Sequence, residues 1–344
     1  MASRFAPVAS LALGLFAACG PTATTVSDAG RDAVSPVQCT TPCACADRGP
    51  PNYSQESTGT NALGADAAQQ AALLRANHWR TAAGIAALTS NGAIQQAAMA
   101  HATYLAGNPQ STCWPNPHVE SSACSGFTGA AMSDRMSAAG YQWSRASEVI
   151  NWESTSDAAI DGWIWTVYHR LPLLDWQFPD TGFGHVPGTL GGRAVTHSVM
   201  DFGLARNVRP SAPPTFARFP VPGQTAVPPG FRGDLEGPQP PAPGGAATWP
   251  RGLEAGTVVS LHFQSATWSV ATHQLFNNPN GACAEVPHTF ISRNNDPNLS
   301  RGLPSDSVLF YADVRLQPQT EYVARLTGSM NGQAFDTAWA FTTQ

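Results

Sequence analysis

Twelve prolines lie between residues 207 and 250, and this density divides the chain into two parts that must fold differently. Proline removes a backbone donor and clashes with the preceding helical turn, so no compact helix can form across the stretch. Before it, apolar residues recur mainly at helical spacing; after it, short alternating runs recur between turn signals. With 344 residues, the chain is long enough for two domains, each with its own core.

The N-terminal residues have the pattern of a bacterial export signal. Arg4 precedes an apolar segment, Phe5 to Ala18, which is too short to span a membrane. Small residues then precede Cys19, as in the bacterial lipobox, where the cysteine receives a lipid and becomes the mature N-terminus. We therefore predict a lipoprotein signal peptide at residues 1–18 and a membrane anchor at Cys19. An ordinary secretory signal that happens to contain a cysteine is the alternative.

Charge and cysteine usage narrow the class of protein. The net charge is −5 and no basic block occurs, which argues against nucleic acid as a partner. Apart from Cys19 there are six cysteines, an even number that favours disulfides in an exported protein. We predict a bond between Cys113 and Cys124, which lie eleven residues apart in one loop-like stretch. The three cysteines within residues 39–45 lack zinc-type spacing, so disulfides are favoured over a metal, and their connectivity with Cys283 stays open.

Composition shifts divide the rest of the chain into segments. Residues 19–64 are rich in small polar residues and proline without an apolar period, which predicts a flexible tether. Residues 65–206 carry helical patterns followed by a candidate hairpin, which predicts an α/β layered domain. Residues 207–214 are a predicted linker, and residues 215–344 a predicted all-β sandwich.

The clearest amphipathic pattern runs from Glu148 to Arg170. Ser156 is a suitable N-cap, apolar residues recur at helical spacing as far as Leu171, and Pro172 closes the run. The pattern predicts a single helix, with Glu148 before its start and His169 near its end.

Six short motifs of the first domain occur in an order that resembles one known family. They are Leu74-Arg75-Ala76-Asn77, His101-Ala102-x-x-Leu105, Asp134-Arg135, Ser147-Glu148-Val149-Ile150, Tyr168-His169-Arg170 and Asp201-Phe202-Gly203. Together they resemble the CAP superfamily of cysteine-rich secretory, antigen 5 and pathogenesis-related-1 proteins, especially its bacterial exported lipoprotein branch. The resemblance implies an α-β-α layered domain.

The resemblance also implies a cleft lined by two histidines and one or two glutamates, which can bind a divalent metal such as zinc. By position these are His118 and His169, with Glu148 as the best-matched carboxylate and Glu120 as a fourth. Imidazole and carboxylate groups are ordinary zinc ligands, and the same groups could instead transfer protons as catalytic residues. Val149 stands where the family has asparagine.

The C-terminal part resembles bacterial immunoglobulin-like and fibronectin-type modules of cell-surface proteins. The resemblance rests on Leu316-x-Pro318-x-Thr320-x-Tyr322 and on Trp339-x-Phe341-Thr342-Thr343, with Tyr322 in a tyrosine-corner-like position. It implies an immunoglobulin-like β-sandwich with a spacer or binding role, and it implies no chemistry.

These features predict an exported, lipid-anchored protein of the cell envelope, in the periplasm or at the outer surface. Because HExxH, GxSxG, P-loop and CxxC motifs are absent, we expect a non-enzymatic protein whose cleft binds a small apolar or lipidic ligand or a divalent metal. A His/Glu- or metal-assisted hydrolase and a structural envelope protein with a vestigial cleft are the alternatives. The expected partners are the membrane, through Cys19, and an envelope or surface component, through the sandwich.

Overall fold

The computed structural model describes residues 41–49, 66–210, 215–264, 267–298 and 303–344. The predicted signal peptide, the anchor at Cys19 and most of the predicted tether lie outside the described residues. Within the described ranges, no helix is long and apolar enough to cross a membrane.

The α-helices of the described ranges all precede residue 175. They are α1 Ala67–Ala82, α2 Gly92–Gly107, α3 Gln110–Cys113, α4 Met132–Ala138, α5 Ser156–Ile164 and α6 Arg170–Leu174. α1 begins with a capping box, because the Asp66 side chain accepts the amide of Gln69 while the Gln69 side chain accepts the amide of Asp66. The side chain of Asn91 caps α2 in a similar way by accepting the amide of Ala93 at 3.0 Å.

Four strands form the sheet of this first region: β1 Thr89–Ser90, β2 Trp143–Asn151, β3 Asp180–Leu190 and β4 Arg193–Ala205. Their order is β1-β3-β4-β2, and β3 and β4 form a hairpin. Phe183 and Met200 pack on one face against residues of α1 and α5. Val199 packs on the other face against Ala98 of α2. Helices therefore cover both faces, which confirms the predicted α-β-α layered fold class.

Close packing of α2 on the sheet depends on Gly184 in β3. A Cβ atom at this position would lie 2.3 Å from the carbonyl oxygen of Ala98. Because no real Cβ approaches a backbone oxygen so closely, a larger residue here would push α2 off the sheet.

The segment from Glu148 to Leu174 differs from the single helix that the sequence predicts. Glu148 lies within β2, and Thr155 caps α5 by accepting the amide of Ala158. α5 ends at Ile164, and residues 165–169 form a turn before α6 begins at Arg170. The apolar period continues through the turn because Val167 and Leu171 are buried in a third hydrophobic cluster.

The C-terminal region consists mainly of strands. They are β5 Thr215–Phe219, β6 Gln224–Val227, β7 Gly230–Phe231, β8 Ala255–Gly256, β9 Val259–Gln264, β10 Trp268–Asn277, β11 Ala284–Glu285, β12 His288–Ser292, β13 Ser307–Ala312, β14 Glu321–Met330 and β15 Gln333–Thr343. Single-turn 3-10 helices cover Gly233–Leu235, Pro243–Gly245 and Pro279–Gly281.

These strands form two larger sheets, ordered β11-β10-β14-β15-β6 and β12-β13-β9-β5, and the short pair β7-β8. All pairings among them are antiparallel except that of β15 with β6. Side chains of both larger sheets share one core, which includes Leu261, Phe263 and Trp339. The arrangement is consistent with the predicted β-sandwich. The hydroxyl of Tyr322 accepts the amide of Gln317 at 2.9 Å, a local contact of the tyrosine-corner type.

Residues 41–49, inside the predicted tether, are bound to the C-terminal region. A disulfide joins Cys43 to Cys283, and Cys45 is disulfide-bonded as well. The amide of Asp47 donates to the carbonyl of Ala338 at 2.8 Å, and the amide of Ala340 donates back to Asp47 at 2.9 Å.

The start of the proline-dense stretch packs against the first region. The ring of Phe219 lies 5.6 Å from that of Trp79 and 5.1 Å from that of Trp165, measured between centroids. Ala217 and Val221 are buried in the same cluster. Apolar residues at the start of the predicted sandwich therefore pack into the core of the first region.

Candidate functional site

A cavity of about 670 Å³ lies between the first region and the C-terminal region. His118, Glu148 and His169, three of the four predicted cleft residues, line it. Gly237, Pro238 and Pro304 complete the lining from the C-terminal side. The fourth predicted residue, Glu120, is not among the lining residues.

The loop between α3 and α4 brings His118 to Glu148 on β2. The Nδ1 atom of His118 lies 2.8 Å from Oε1 of Glu148. The disulfide between Cys113 and Cys124, the pair predicted from spacing, closes the same loop. His118 remains 35% exposed, whereas the side chain of Glu148 is 3% exposed. A reachable imidazole is therefore oriented by a buried carboxylate.

A buried guanidinium holds Glu148 in its ionised form. Nη2 of Arg135 donates to Oε2 of Glu148 at 2.6 Å. Burial raises the pKa of Glu148, but Arg135 and the histidines His118 and His101 outweigh it and lower this pKa to about 2. An ionised carboxylate can only accept hydrogen bonds, so Nδ1 of His118 carries the proton and Nε2 is its remaining ring nitrogen.

Glu120 instead forms a separate buried pair with His101. Its Oε1 lies 2.8 Å from Nδ1 of His101, and its Oε2 accepts the amide of Thr128 at 2.7 Å. Burial raises the pKa of Glu120, yet the contacts with His101, Thr128 and Arg135 bring it below its usual value. Nε2 of His101 faces a second acceptor, the carbonyl of Pro117, at 2.8 Å. The pair fixes the His118 loop from inside.

Asp201 on β4 is a second carboxylate beside Glu148. The two residues are directly paired across β2 and β4, and Asp201 is fully buried. Burial, and then the charge of Glu148, raise the pKa of Asp201 well above its usual value. No described group donates to its oxygens. The charge of Glu148 thus opposes ionisation of the neighbouring Asp201 carboxyl group.

His169 is held by a residue of the proline-dense stretch. Its Nδ1 lies 3.1 Å from Oε1 of Glu236, and both side chains are largely shielded from water. Glu236 also accepts the amides of Val167, Tyr168 and His169 at 3.0, 2.5 and 3.2 Å. The turn between α5 and α6 exists because these amides bond to a carboxylate and not to carbonyls of a continued helix.

The four residues predicted as metal ligands are engaged by different neighbours. Glu120 bonds to His101, Glu148 is engaged by Arg135 and His118, and His169 bonds to Glu236. Over the described ranges, no three His, Cys, Asp or Glu side chains are grouped closely enough to hold a metal ion. Each of the two imidazoles is therefore tied to one carboxylate, and His118, Glu148 and His169 line the cavity.

Sequence reasoning missed three contributors to the site. Arg135 stands in the Asp134-Arg135 motif, but its pairing with Glu148, 13 residues further along the chain, has no signal in the sequence. Asp201 likewise stood in the Asp201-Phe202-Gly203 motif. Glu236 carried no signal, because it lies 67 residues from His169 in a stretch without a recognisable pattern.

Comparison with known proteins assigns the first region to a family. Residues 73–202 match the model of CAP, the cysteine-rich secretory protein family. This part of the chain is a CAP domain, as its motifs predicted. No curated protein matches the chain.

Two solved structures resemble part of the chain. One is an extracellular protein containing an SCP domain from Bacillus anthracis, with 20% identity, a TM-score of 0.31, and 39% of each chain covered. The other is an outer surface protein from Borrelia burgdorferi, with 14% identity, a TM-score of 0.30, and coverage of 37% of this chain and 84% of that one. The first match thus spans well under half of the Bacillus protein.

Proposed function

We propose that this is an exported, non-enzymatic protein of the cell envelope whose CAP cleft binds a small amphiphilic ligand. The observation that carries the proposal is the cavity of about 670 Å³, a size typical of small-molecule sites. Apolar side chains such as Val119, Met132 and Phe178 line it together with His118 and His169. Such a mixed lining suits a lipidic body with a polar head.

Binding of a fluorescent monoacylglycerol tests this proposal. Val119→Glu and Met132→Glu place a charge on the apolar lining, and we expect each to weaken binding at least roughly tenfold because the carboxylate must be desolvated. Val314→Glu is the matched control, since Val314 is 63% exposed and does not line the cavity. Equal binding by all four proteins, or no binding by the unsubstituted protein, would refute a ligand cleft.

The anchor and the partners belong to the same proposal. The signal-like N-terminus and the disulfides support export, and the lipobox-like Cys19 supports attachment to a membrane. The β-rich C-terminal region is the part that we propose to contact an envelope or surface component. If a Cys19→Ser protein still fractionates with membranes, the lipid anchor is wrong.

Binding of a divalent cation is the second candidate, and one specific observation favours it. Nδ1 of His118 and Nδ1 of His169 each lie against a carboxylate, the arrangement that orients histidine ligands in metalloproteins. The two imidazoles would hold the cation, which would act as a Lewis acid toward a polar ligand group. Calorimetric titration with zinc should show binding that His118→Ala and His169→Ala each abolish. Unchanged zinc binding in both variants would exclude these residues.

A further inference from the structure

Both carboxylate oxygens of Glu236 are engaged by the turn between α5 and α6. Its side chain is 0% exposed, and it receives three backbone amides and an imidazole nitrogen. Burying a carboxylate is costly unless its oxygens are satisfied by hydrogen bonds. Glu236 therefore has a defined place, fixed by the turn that carries His169.

The hydrogen-bond pattern determines which nitrogen of His169 carries the proton. The groups around Glu236 are donors, so the carboxylate is the acceptor toward Nδ1 of His169. The Nδ1–H form leaves Nε2 with a lone pair. His118 has the same pattern, because the ionised Glu148 accepts its Nδ1–H.

Neighbouring residues tie the same turn to the C-terminal region. The hydroxyl of Tyr168 donates to Asp296 at 2.7 Å, and Nη1 of Arg170 donates to the carbonyl of Val258 at 2.8 Å. Residues 168, 169 and 170 are thus each bonded to the C-terminal region. The wall of the cavity at His169 is set by contacts that the CAP domain does not contain.

We propose that Glu236 is a positioning residue that fixes His169 with Nε2 as an acceptor, so that the cleft selects a ligand with a hydroxyl head over one with a carboxylate head. This inference rests on the proposed ligand cleft. A hydroxyl donates to an imidazole lone pair, whereas a carboxylate has no proton to donate and meets the lone pair of a neutral ring. The C-terminal region thereby contributes to ligand selection in the CAP cleft, through Glu236.

Nitrogen-15 NMR of the imidazoles tests the positioning directly. At pH 8, where imidazole in water is neutral, we expect His169 to be in the Nδ1–H form, with its signals assigned from their loss in His169→Gln. Glu236→Ala should shift His169 toward the Nε2–H form. Glu236→Gln should retain the Nδ1–H form, because the glutamine oxygen can replace Oε1 of the carboxylate. Glu254→Ala, which removes a surface partner of Arg315, is the matched control and should change nothing.

The tautomer of His169 is also measured in the unsubstituted protein, so the test does not depend on whether Glu236→Ala folds. An Nε2–H form of His169 in that protein overturns the proposal, as does an unchanged spectrum in a folded Glu236→Ala variant.

Ligand selection is measured with monoacylglycerol and fatty-acid probes of equal chain length at pH 8. We expect the hydroxyl-headed probe to bind roughly tenfold more tightly, a preference that Glu236→Ala abolishes and Glu236→Gln largely keeps. A preference for the fatty acid, or one that survives in folded Glu236→Ala, contradicts the proposed selection. If neither probe binds, the ligand cleft fails, while the NMR result still decides the role of Glu236.

Discussion

At the scale of single residues, the geometry of the site depends on which charged side chains bind each other. Glu148 and Glu120 both match family positions. Glu148 orients the accessible imidazole of His118, whereas Glu120 is bound to the buried His101. The difference follows from their neighbours: Arg135 meets Glu148 at 2.6 Å, whereas its nearest approach to Glu120 is 3.8 Å. The sequence ranked Glu148 above Glu120 by its position in the motifs, but the partners of each carboxylate come only from the fold.

Removing the Glu148 carboxylate should expose its structural role. Glu148→Ala leaves the guanidinium of Arg135 buried without its closest partner, and we expect a loss of about 3–5 kcal/mol of unfolding free energy. Urea denaturation measures this quantity. Glu153→Ala is the control, because Glu153 is exposed, and it should change the unfolding free energy by less than about 0.5 kcal/mol. A loss as small as that of the control would mean that Arg135 is satisfied by other groups.

At the scale of secondary-structure elements, the local sequence pattern predicted where a helix lies better than where it ends. The apolar period correctly places a helix at α5, but tertiary contacts end it at Ile164, seven residues before the last apolar residue of the pattern at Leu171. The amides of residues 167–169 bond to Glu236, so the helix stops where a distant carboxylate captures its donors. The β3–β4 hairpin could be predicted because its strands are close in sequence, whereas the cap predicted at Ser156 is wrong by one residue, since Thr155 accepts the first-turn amide.

The His118 loop should depend on its disulfide. Replacing Cys113 and Cys124 by serine together removes the closure of an eleven-residue loop, and we expect a loss of about 3 kcal/mol of unfolding free energy. Amide hydrogen exchange between residues 114 and 131 should accelerate more than exchange in β14, since the loop loses its covalent closure. Uniform acceleration across both segments would show that the bond stabilises the whole chain and does not specifically hold His118.

At the scale of the whole molecule, buried polar groups join the CAP domain to the C-terminal region. Arg170 of α6 reaches the carbonyl of Val258 and the hydroxyl of Ser260, and its guanidinium lies 5.1 Å from the ring of Phe219. His262 bonds to Ser260 and Ser307 in the same buried layer. Burial first, and the charge of Arg170 second, lower the pKa of His262 to about 3. The junction is thus built around an imidazole that stays neutral.

This junction should weaken in acid. Between the unfolded pKa of a histidine, about 6.5, and the folded value for His262, about 3, the unfolded chain binds a proton that the folded chain excludes. The His262 contribution is therefore complete above about pH 6.5 and should fall by about 1.4 kcal/mol for each pH unit below it. Unfolding free energies are measured from pH 7.5 to 4.5 for the unsubstituted protein and for His262→Gln. The difference between the two curves is the His262 contribution, because carboxyl groups titrate alike in both proteins. Parallel curves would show that His262 is protonated in the folded state.

The sequence by itself determined what depends on near neighbours along the chain. Helical and strand periods and the order of the CAP motifs were enough to predict an α-β-α domain followed by a β-rich region. Only the tertiary structure decided how the cleft is built, because a carboxylate acts through donors about 3 Å away and those donors come from anywhere in the chain. Glu236 and His169 are 67 residues apart, and no local pattern records that they meet.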